Sequence, residues 1–180
     1  MDEPAVSFNS AAFDVLTGLP NRALFDDRLT QVIALSNRSG RRFAIHICDL
    51  DGFQAVAQRA GNAGTEAALK LIAERFVAAL RESDTVARFG WDEFVALQPE
   101  LEDEEDARDM ADRLRRALYA PVIAGSDSYQ VGVSIGIALF PLDGETGPSL
   151  LAAAERALLR AKAQARGGVV FAQDNAASSA

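Results

Sequence analysis

The chain has 180 residues, of which 49% are hydrophobic and 24% are charged. This length allows one globular domain with a sizeable core, and the apolar fraction excludes a disordered or collagen-like chain. Eighteen basic side chains against 26 acidic ones give a formal net charge of −8, which excludes bulk binding of DNA, RNA or an anionic membrane. No apolar run approaches the ~20 residues of a membrane-spanning helix, and the start of the chain lacks the pattern of a secretion signal. The single cysteine, Cys48, favours a reducing compartment, so we expect a cytoplasmic α/β domain.

The spacing of apolar residues predicts the order of the elements. Residues 22–36 carry the pattern of an amphipathic helix, and residues 43–50 form a short apolar run typical of a buried strand. The later elements are a helix over 69–80, a hairpin over 85–97, a helix over 107–118, a strand over 130–140, a helix over 151–161 and a short strand over 169–171. A hairpin requires antiparallel pairing, which excludes a doubly wound parallel sheet. We therefore expect an α+β sandwich with a central, mostly antiparallel sheet.

Acidic residues cluster at three places along the chain. Asp49 and Asp51 close a predicted strand, and Asp92 and Glu93 lie at the predicted hairpin turn. If these strands are neighbours, the carboxylates meet at one edge of the sheet. Oxygen ligands there suit Mg²⁺, which leaves coordination positions open for phosphate oxygens. The third cluster, six carboxylates between positions 100 and 106, is better explained as the start of a helix, where the macrodipole favours acids.

Five short motifs follow one another along the chain. They are DVLTGLPNR at 14–22, DLDGF at 49–53, RFGWDEF at 88–94, SIGIA at 134–138, and AK at 161–162 followed by Arg166. In this order they resemble the motifs of GGDEF domains, the family of diguanylate cyclases, with Trp91 in place of the second glycine of the signature. The resemblance implies a palm-like sheet wrapped by helices, similar to nucleotide cyclases. We expect residues 1–13 to be a linker or helix stub, 14–173 the GGDEF domain, and 174–180 a tail or linker.

The resemblance implies that the metal and phosphate positions of an active site are present. Active members of the family condense two GTP molecules into cyclic di-GMP, and two Mg²⁺ ions promote attack of a 3′-hydroxyl on an α-phosphate. The matching positions are Asp49, the Leu50 carbonyl and Asp92 for the metal, Glu93 for activating the hydroxyl, and Lys162 and Arg166 for the terminal phosphates. The two basic residues also have a structural explanation, since cations are favoured at a helix C-terminus.

The positions that the resemblance assigns to guanine binding are altered. Ala57 stands where the family has an asparagine, eight residues after the first metal aspartate, and Glu66 stands where it has an aspartate. Trp91 replaces a glycine that lets the nucleotide approach the backbone, and an indole fills that space unless it folds back onto the surface. We therefore expect base recognition to be lost.

The resemblance also implies a second, inhibitory site. Arg81-Glu82-Ser83-Asp84 matches the family's R-x-x-D motif, and Asp84 precedes Gly90 by six positions as in the family. Arg81 and Asp84 would bind the guanine edge and phosphate of cyclic di-GMP, with Arg113 as the second arginine of the site. The structural alternative is a solvated ion pair at a helix end.

Three functions are compatible with these residues. The first is a regulatory domain, without cyclase activity, that binds cyclic di-GMP. The second is an active diguanylate cyclase, and the third is a GTP-sensing domain that controls an attached EAL phosphodiesterase. The expected partners are cyclic di-GMP, GTP with Mg²⁺, an attached sensor or EAL domain, and a second copy in a homodimer. Calorimetry with GTP and cyclic di-GMP in parallel discriminates between the three.

Overall fold

The computed structural model of the chain describes residues 11–174. The helices in that range are α1 (Arg22–Ser39), α2 (Phe53–Ala79), α3 (Glu104–Ala117) and α4 (Gly147–Gln164). The strands are β1 (Arg42–Asp51), β2 (Thr85–Arg88), β3 (Glu93–Leu101), β4 (Val122–Ala124), β5 (Asp127–Tyr129), β6 (Gly132–Phe140) and β7 (Val169–Phe171). Positions 1–10 and 175–180, which belong to the predicted terminal linker and tail, lie outside the described residues.

A five-stranded sheet with the order β2-β3-β1-β6-β7 forms the centre of the fold. Every pairing in it is antiparallel except that of β6 with β7. The predicted α+β sandwich with a mostly antiparallel sheet is therefore confirmed. None of the helices in the described part of the chain is long and apolar enough to cross a bilayer.

Strand β1 is central and is buried on both faces, as its continuous apolar sequence predicts. Ala44 and Cys48 contact the core formed with α2 and α3. Phe43, Ile45 and Ile47 point the other way, into the core formed with α1 and α4. The two cores hold β1 rigidly, so the acidic residues at its C-terminal end have a fixed position.

Two glycines bring the helices α2 and α4 close to that end of the sheet. Gly52 adopts the left-handed conformation (φ 80°) between β1 and α2, which turns the chain directly from strand to helix. Gly136 lies in β6 beneath α4, where a Cβ atom would overlap the backbone of Ala154 and Leu158. The absence of a side chain at Gly136 therefore lets α4 pack tightly on the sheet.

Two local features differ from the sequence prediction. Helix α2 begins at Phe53 and not near position 69, and it is kinked at Gly61, which has φ 67°. The first part of α2 is rich in alanine, glutamine and glycine, so it lacks the apolar stripe that reveals a helix. A second hairpin, β4–β5, was not predicted, because strands of three residues are too short for an alternating pattern to stand out.

The acidic stretch before α3 has the structural role that was predicted. Asp103 is the N-cap of α3 and accepts hydrogen bonds from the N–H groups of Glu105 and Asp106. The Asp106 side chain completes a capping box. These carboxylates therefore stabilise the helix start and lie apart from the site described next.

Candidate functional site

Acidic residues from β1 and β3 meet at one edge of the sheet. Asp49 lies opposite Glu93 in the β1–β3 ladder. The Leu50 N–H donates a hydrogen bond to the backbone oxygen of Asp92 at 3.0 Å, which extends the strand pairing into the turn. The structure therefore brings together the carboxylates whose convergence the sequence predicted.

A lysine from α4 contacts the first of these carboxylates. Lys162 Nζ lies 2.7 Å from Asp49 Oδ2. Burial raises the pKa of Asp49, the hydrogen bond and charge of Lys162 oppose that rise, and the charges of Asp92 and Asp51 add to it. The negative field around Asp49 therefore favours a cation, of which Lys162 is one.

Glu93 lies in a similar field on the neighbouring strand. Burial raises its pKa, and the carboxylates of Glu155, Asp49 and Asp92 raise it further, while Arg22 lowers it. A carboxyl group with a raised pKa exchanges its proton closer to neutral pH, which suits a general base. The chemistry that the resemblance assigns to Glu93 is thus compatible with its surroundings.

Asp51 has a structural role that the sequence did not reveal. Its carboxylate accepts hydrogen bonds from Ser134 Oγ at 2.8 and 3.0 Å and from the Gly167 N–H at 2.8 Å. Gly167 lies in the turn between α4 and β7, next to Arg166. Asp51 therefore ties this turn to the sheet, and its oxygens are committed to hydrogen bonds instead of joining the metal carboxylates as first grouped.

An open cavity of about 540 Å³ lies beside these residues. Its lining includes the carboxylates of Asp49 and Asp92 and the cations of Lys162 and Arg166. The first turn of α2 also lines it, and the N-cap of that helix is Gly52, which has no side chain to cap the turn. Cations and a helix N-terminus hold anions, so the cavity combines groups that bind phosphate with groups that bind a metal.

The acidic residues of the cavity can hold Mg²⁺ only if a further ligand, such as a phosphate, also coordinates the ion. Within residues 11–174, no group of three or more histidine, cysteine or acidic side chains is placed to hold a metal ion. Asp49, Asp92 and Leu50 do line one cavity. Mg²⁺ binds through one or two carboxylates and completes its shell with water and phosphate oxygens. This donor set therefore suits a magnesium ion that arrives with a phosphate ligand.

The three altered guanine positions lie outside the lining of this cavity. Ala57 is half-buried on α2, and Glu66 is exposed beyond the kink at Gly61. Trp91 is 46% exposed, and its ring packs at 5.2 Å on the ring of Phe53, at the start of α2. The indole therefore rests on the helix start beside the cavity.

An ion pair that the sequence did not predict holds the turn of the β2–β3 hairpin. Arg88 Nη1 lies 3.1 Å from Asp14 Oδ2, and Arg88 Nη2 donates to the backbone oxygen of Trp91 at 3.2 Å. Burial raises the pKa of Asp14, but hydrogen bonds from Thr17 and Arg88 outweigh it and hold that pKa below its usual value. The segment before α1 therefore helps to position the signature turn.

The residues that the resemblance assigns to an inhibitory site also come together. The Asp84 carboxylate accepts a hydrogen bond from the Arg81 N–H at 2.9 Å and lies 3.9 Å from Arg113 Nη2. Burial raises the pKa of Asp84, although these two arginines oppose the rise. Its side chain is only 1% exposed. Within residues 11–174, Arg113 Nε and Nη2 are buried without a hydrogen-bond partner, so Arg113 has N–H groups left to donate to an acceptor that reaches them.

Comparisons with known proteins give the family and its relatives. The family model "Diguanylate cyclase, GGDEF domain" matches residues 11–168. The bifunctional diguanylate cyclase/cyclic di-GMP phosphodiesterase MucR of Pseudomonas aeruginosa is 43% identical over 161 residues, which cover 89% of this chain and 23% of MucR. The diguanylate cyclase TpbB of the same species is 38% identical over 175 residues, covering 97% of this chain and 40% of TpbB. The chain thus spans less than half the length of these relatives.

A solved structure agrees with the family match. The GGDEF domain of TpbB superposes with a TM-score of 0.86 at 38% identity, covering 89% of this chain and 94% of that structure. This chain belongs to the GGDEF domain family of diguanylate cyclases.

Proposed function

We propose that this chain is a regulatory GGDEF domain that binds cyclic di-GMP, a bacterial second messenger, and does not synthesise it. The proposal rests on a contrast between two groups of residues: those that suit a metal and phosphates, and those at the positions assigned to guanine binding. Metal and phosphate groups line the cavity, whereas Ala57, Glu66 and Trp91 do not.

The loss of guanine recognition argues against catalysis. Ala57 offers no hydrogen bond, and the exposed Glu66 carboxylate lies outside the cavity. Each missing hydrogen bond to a polar partner costs about 1–3 kcal/mol. Catalysis suffers more than binding, because contacts to the base also orient the reacting phosphate.

Binding of cyclic di-GMP is supported by the arrangement around Asp84. Arg81 is exposed and can reach a phosphate or a guanine edge, while Arg113 has buried N–H groups that find no partner among the described residues. The separation of 3.9 Å between Arg113 and Asp84 is too long for a hydrogen bond. A ligand that displaces Arg113 from this contact would uncover the buried Asp84 carboxylate, accept a hydrogen bond from Arg113 and donate a guanine N–H to Asp84.

Two measurements test the proposal. With GTP and Mg²⁺ or Mn²⁺, the chain should release no cyclic di-GMP; product whose formation is abolished by Asp92→Ala would contradict this. In calorimetry, cyclic di-GMP should bind the parent chain, and Arg81→Ala should weaken binding by about 2–5 kcal/mol, as the loss of a charge-paired arginine does. Arg38→Ala, a change at an exposed arginine elsewhere, is the control. Equal binding by Arg81→Ala and the parent would refute the site.

An active cyclase is the second candidate, and the environment of Glu93 favours it. Asp49, Asp92 and Glu93 lie together, and the pKa of Glu93 is raised as a general base requires. In that case a facing second copy would hold the other GTP, with Mg²⁺ stabilising charge on the phosphates. The cyclase assay above separates the two candidates.

The regulatory proposal implies a larger assembly. Its output would pass to an attached sensor or an EAL phosphodiesterase domain, or to a second copy of this domain bridged by cyclic di-GMP through Arg113. Size-exclusion chromatography with and without cyclic di-GMP tests the bridging. An increase in apparent mass that is lost in Arg113→Ala and kept in Arg116→Ala supports it, and an unchanged mass contradicts it.

A further inference from the structure

We infer that the 540 Å³ cavity binds magnesium nucleoside triphosphates without selecting guanine over adenine. The inference rests on the proposal above that base recognition is lost. It goes further by assigning the cavity a ligand class, the polyphosphate chain of any purine nucleotide.

The groups that suit a polyphosphate are all present in the cavity. Lys162 and Arg166 supply two positive charges, and the uncapped first turn of α2 supplies backbone N–H groups. Asp49 and Asp92 provide the carboxylates through which a magnesium ion carried by the phosphates would be held. None of these groups distinguishes one base from another.

Each of the three carboxylates that line the cavity already has a partner or is assigned to the magnesium ion. Asp49 contacts Lys162, and Asp51 is bonded to Ser134 and the Gly167 N–H. Asp92 accepts the Leu50 N–H through its backbone oxygen, and its carboxylate is the one assigned above, with that of Asp49, to the magnesium ion. A carboxylate that accepts from the N1–H and amino group of guanine would select that base, and the cavity has none to spare for this purpose.

The remaining polar side chains of the cavity are two carboxamides. Gln54 and Gln58 are four residues apart on α2, so they lie on one helical face, and both are exposed. A carboxamide carries a donor and an acceptor, so it can pair with the edge of either purine. Strong rejection of a wrong base requires buried polar groups that this base leaves unpaired, and exposed glutamines do not meet that condition.

Calorimetry of the full chain with Mg²⁺ tests the inference, using ATP, GTP and tripolyphosphate as separate ligands. ATP and GTP should bind with dissociation constants within threefold of each other, and tripolyphosphate should displace both. Lys162→Ala should weaken all three ligands at least tenfold. Lys70→Ala, which removes the other lysine of the chain at an exposed position of α2, should change none of them.

A double variant separates the phosphate groups from the base-facing groups. Gln54→Ala with Gln58→Ala should weaken ATP and GTP by the same factor and leave tripolyphosphate unchanged. Circular dichroism of each variant checks that Lys162→Ala still folds; if it does not, Arg166→Ala, at an exposed position, takes its place with the same expected loss.

Several outcomes would overturn the inference. They are a tenfold preference for GTP over ATP, a failure of both nucleotides to bind, and nucleotide binding that tripolyphosphate does not displace. Cyclic di-GMP is titrated in the same series with the parent and Arg81→Ala. Loss of cyclic di-GMP binding alone would contradict the proposed function and leave the ratio of ATP to GTP affinity measurable, so the two failures are distinguishable.

Discussion

Asp51→Ala tests whether the second aspartate of the DLD motif is a structural anchor. Asp51 accepts hydrogen bonds from the Ser134 hydroxyl and the Gly167 N–H, and these join β1, β6 and the turn after α4. The substitution removes the acceptor from the Ser134 hydroxyl, which belongs to a fully buried residue, and from the N–H of half-buried Gly167. We therefore expect the free energy of unfolding to fall, with no direct change to the groups that line the cavity on α2.

The magnitude follows from the number and kind of hydrogen bonds. Hydrogen bonds to a charged acceptor contribute about 1.5–3 kcal/mol each. Two donors are affected, but the Gly167 N–H also lies 3.1 Å from Ser134 Oγ and keeps that partner. We therefore expect Asp51→Ala to cost about 3 kcal/mol, at the lower end of the sum. Ser134→Ala should cost about 1.5 kcal/mol, the lower end for one such bond, because Asp51 stays bonded to Gly167.

Urea unfolding of four proteins provides the assay: the parent, each single variant and the double variant. Because the two residues share a hydrogen bond, the double variant should be about 1 kcal/mol more stable than the sum of the single losses requires. Asp109→Ala, at an exposed position of α3, controls for the loss of one carboxylate. A loss below 1 kcal/mol for Asp51→Ala, or strict additivity, would refute the structural role.

Two further predictions concern Trp91 and Gly136. Trp91→Gly should remove the ring packed on Phe53 and improve GTP binding modestly without turnover, whereas the triple variant with Ala57→Asn and Glu66→Asp should be needed before cyclic di-GMP appears. Turnover from Trp91→Gly alone would show that the other two positions are tolerated. Gly136→Ala should lower the unfolding free energy by at least about 3 kcal/mol, since its Cβ overlaps backbone of α4. Gly132→Ala, which meets only ordinary contacts at 3.5 Å, should change it by less than about 1 kcal/mol.

Much of the fold could be predicted because its signals are local. The apolar run of β1, the hairpin around Gly90 and the amphipathic stripes of the helices each depend on a few neighbouring residues. The first turns of α2 and the β4–β5 hairpin could not, since small and polar residues carry no periodic signal. What places them is packing: Gly64 in α2 lies against Ala124 of β4, so each stabilises the other only in the folded chain.

The candidate site likewise has features that local sequence predicts and features that depend on packing between distant residues. The sequence places Asp49 and Asp92 at strand ends, and their convergence was expected on the condition that the two strands are neighbours, which the strand order of the sheet fulfils. The contact of Arg88 with Asp14 joins residues 74 positions apart, and that of Asp51 with Ser134 spans 83. Such contacts depend on how whole helices and strands pack together, so no local sequence pattern predicts them. The packing of Trp91 on Phe53 likewise depends on the side-chain rotamer of Trp91, which is determined by the surrounding structure and not by the local sequence.

Buried His46 provides the last prediction, which concerns pH. His46 is completely buried in β1, and its Nε2 lies 3.0 Å from Gln98 Oε1. Burial lowers the pKa of His46 to about 4; the hydrogen bond to Gln98 opposes this, and the charge of Arg113 adds to it. As the pH falls, His46 therefore takes up a proton near pH 6.5 in the unfolded chain but only near pH 4 in the folded chain. The stability that depends on neutral His46 is complete above pH 6.5 and is lost as the pH falls toward 4.

The contribution of His46 between pH 7 and pH 5 amounts to about 2 kcal/mol, at 1.36 kcal/mol per pKa unit. The raised pKa values of Asp49, Asp84 and Glu93 act in the opposite sense, because protonation at low pH favours their folded forms. The contributions of these acidic residues are the same in the parent and in His46→Leu, so they cancel when the two unfolding free energies are compared. The variant leaves the Oε1 atom of Gln98 without its partner at every pH, although Nε2 keeps its hydrogen bond to the Asp106 carbonyl, so the variant should be less stable than the parent at pH 7. By pH 5 the gap in unfolding free energy should narrow by about 2 kcal/mol. A gap that stays constant would show that His46 is protonated inside the fold, with Gln98 and a solvent path stabilising its charge.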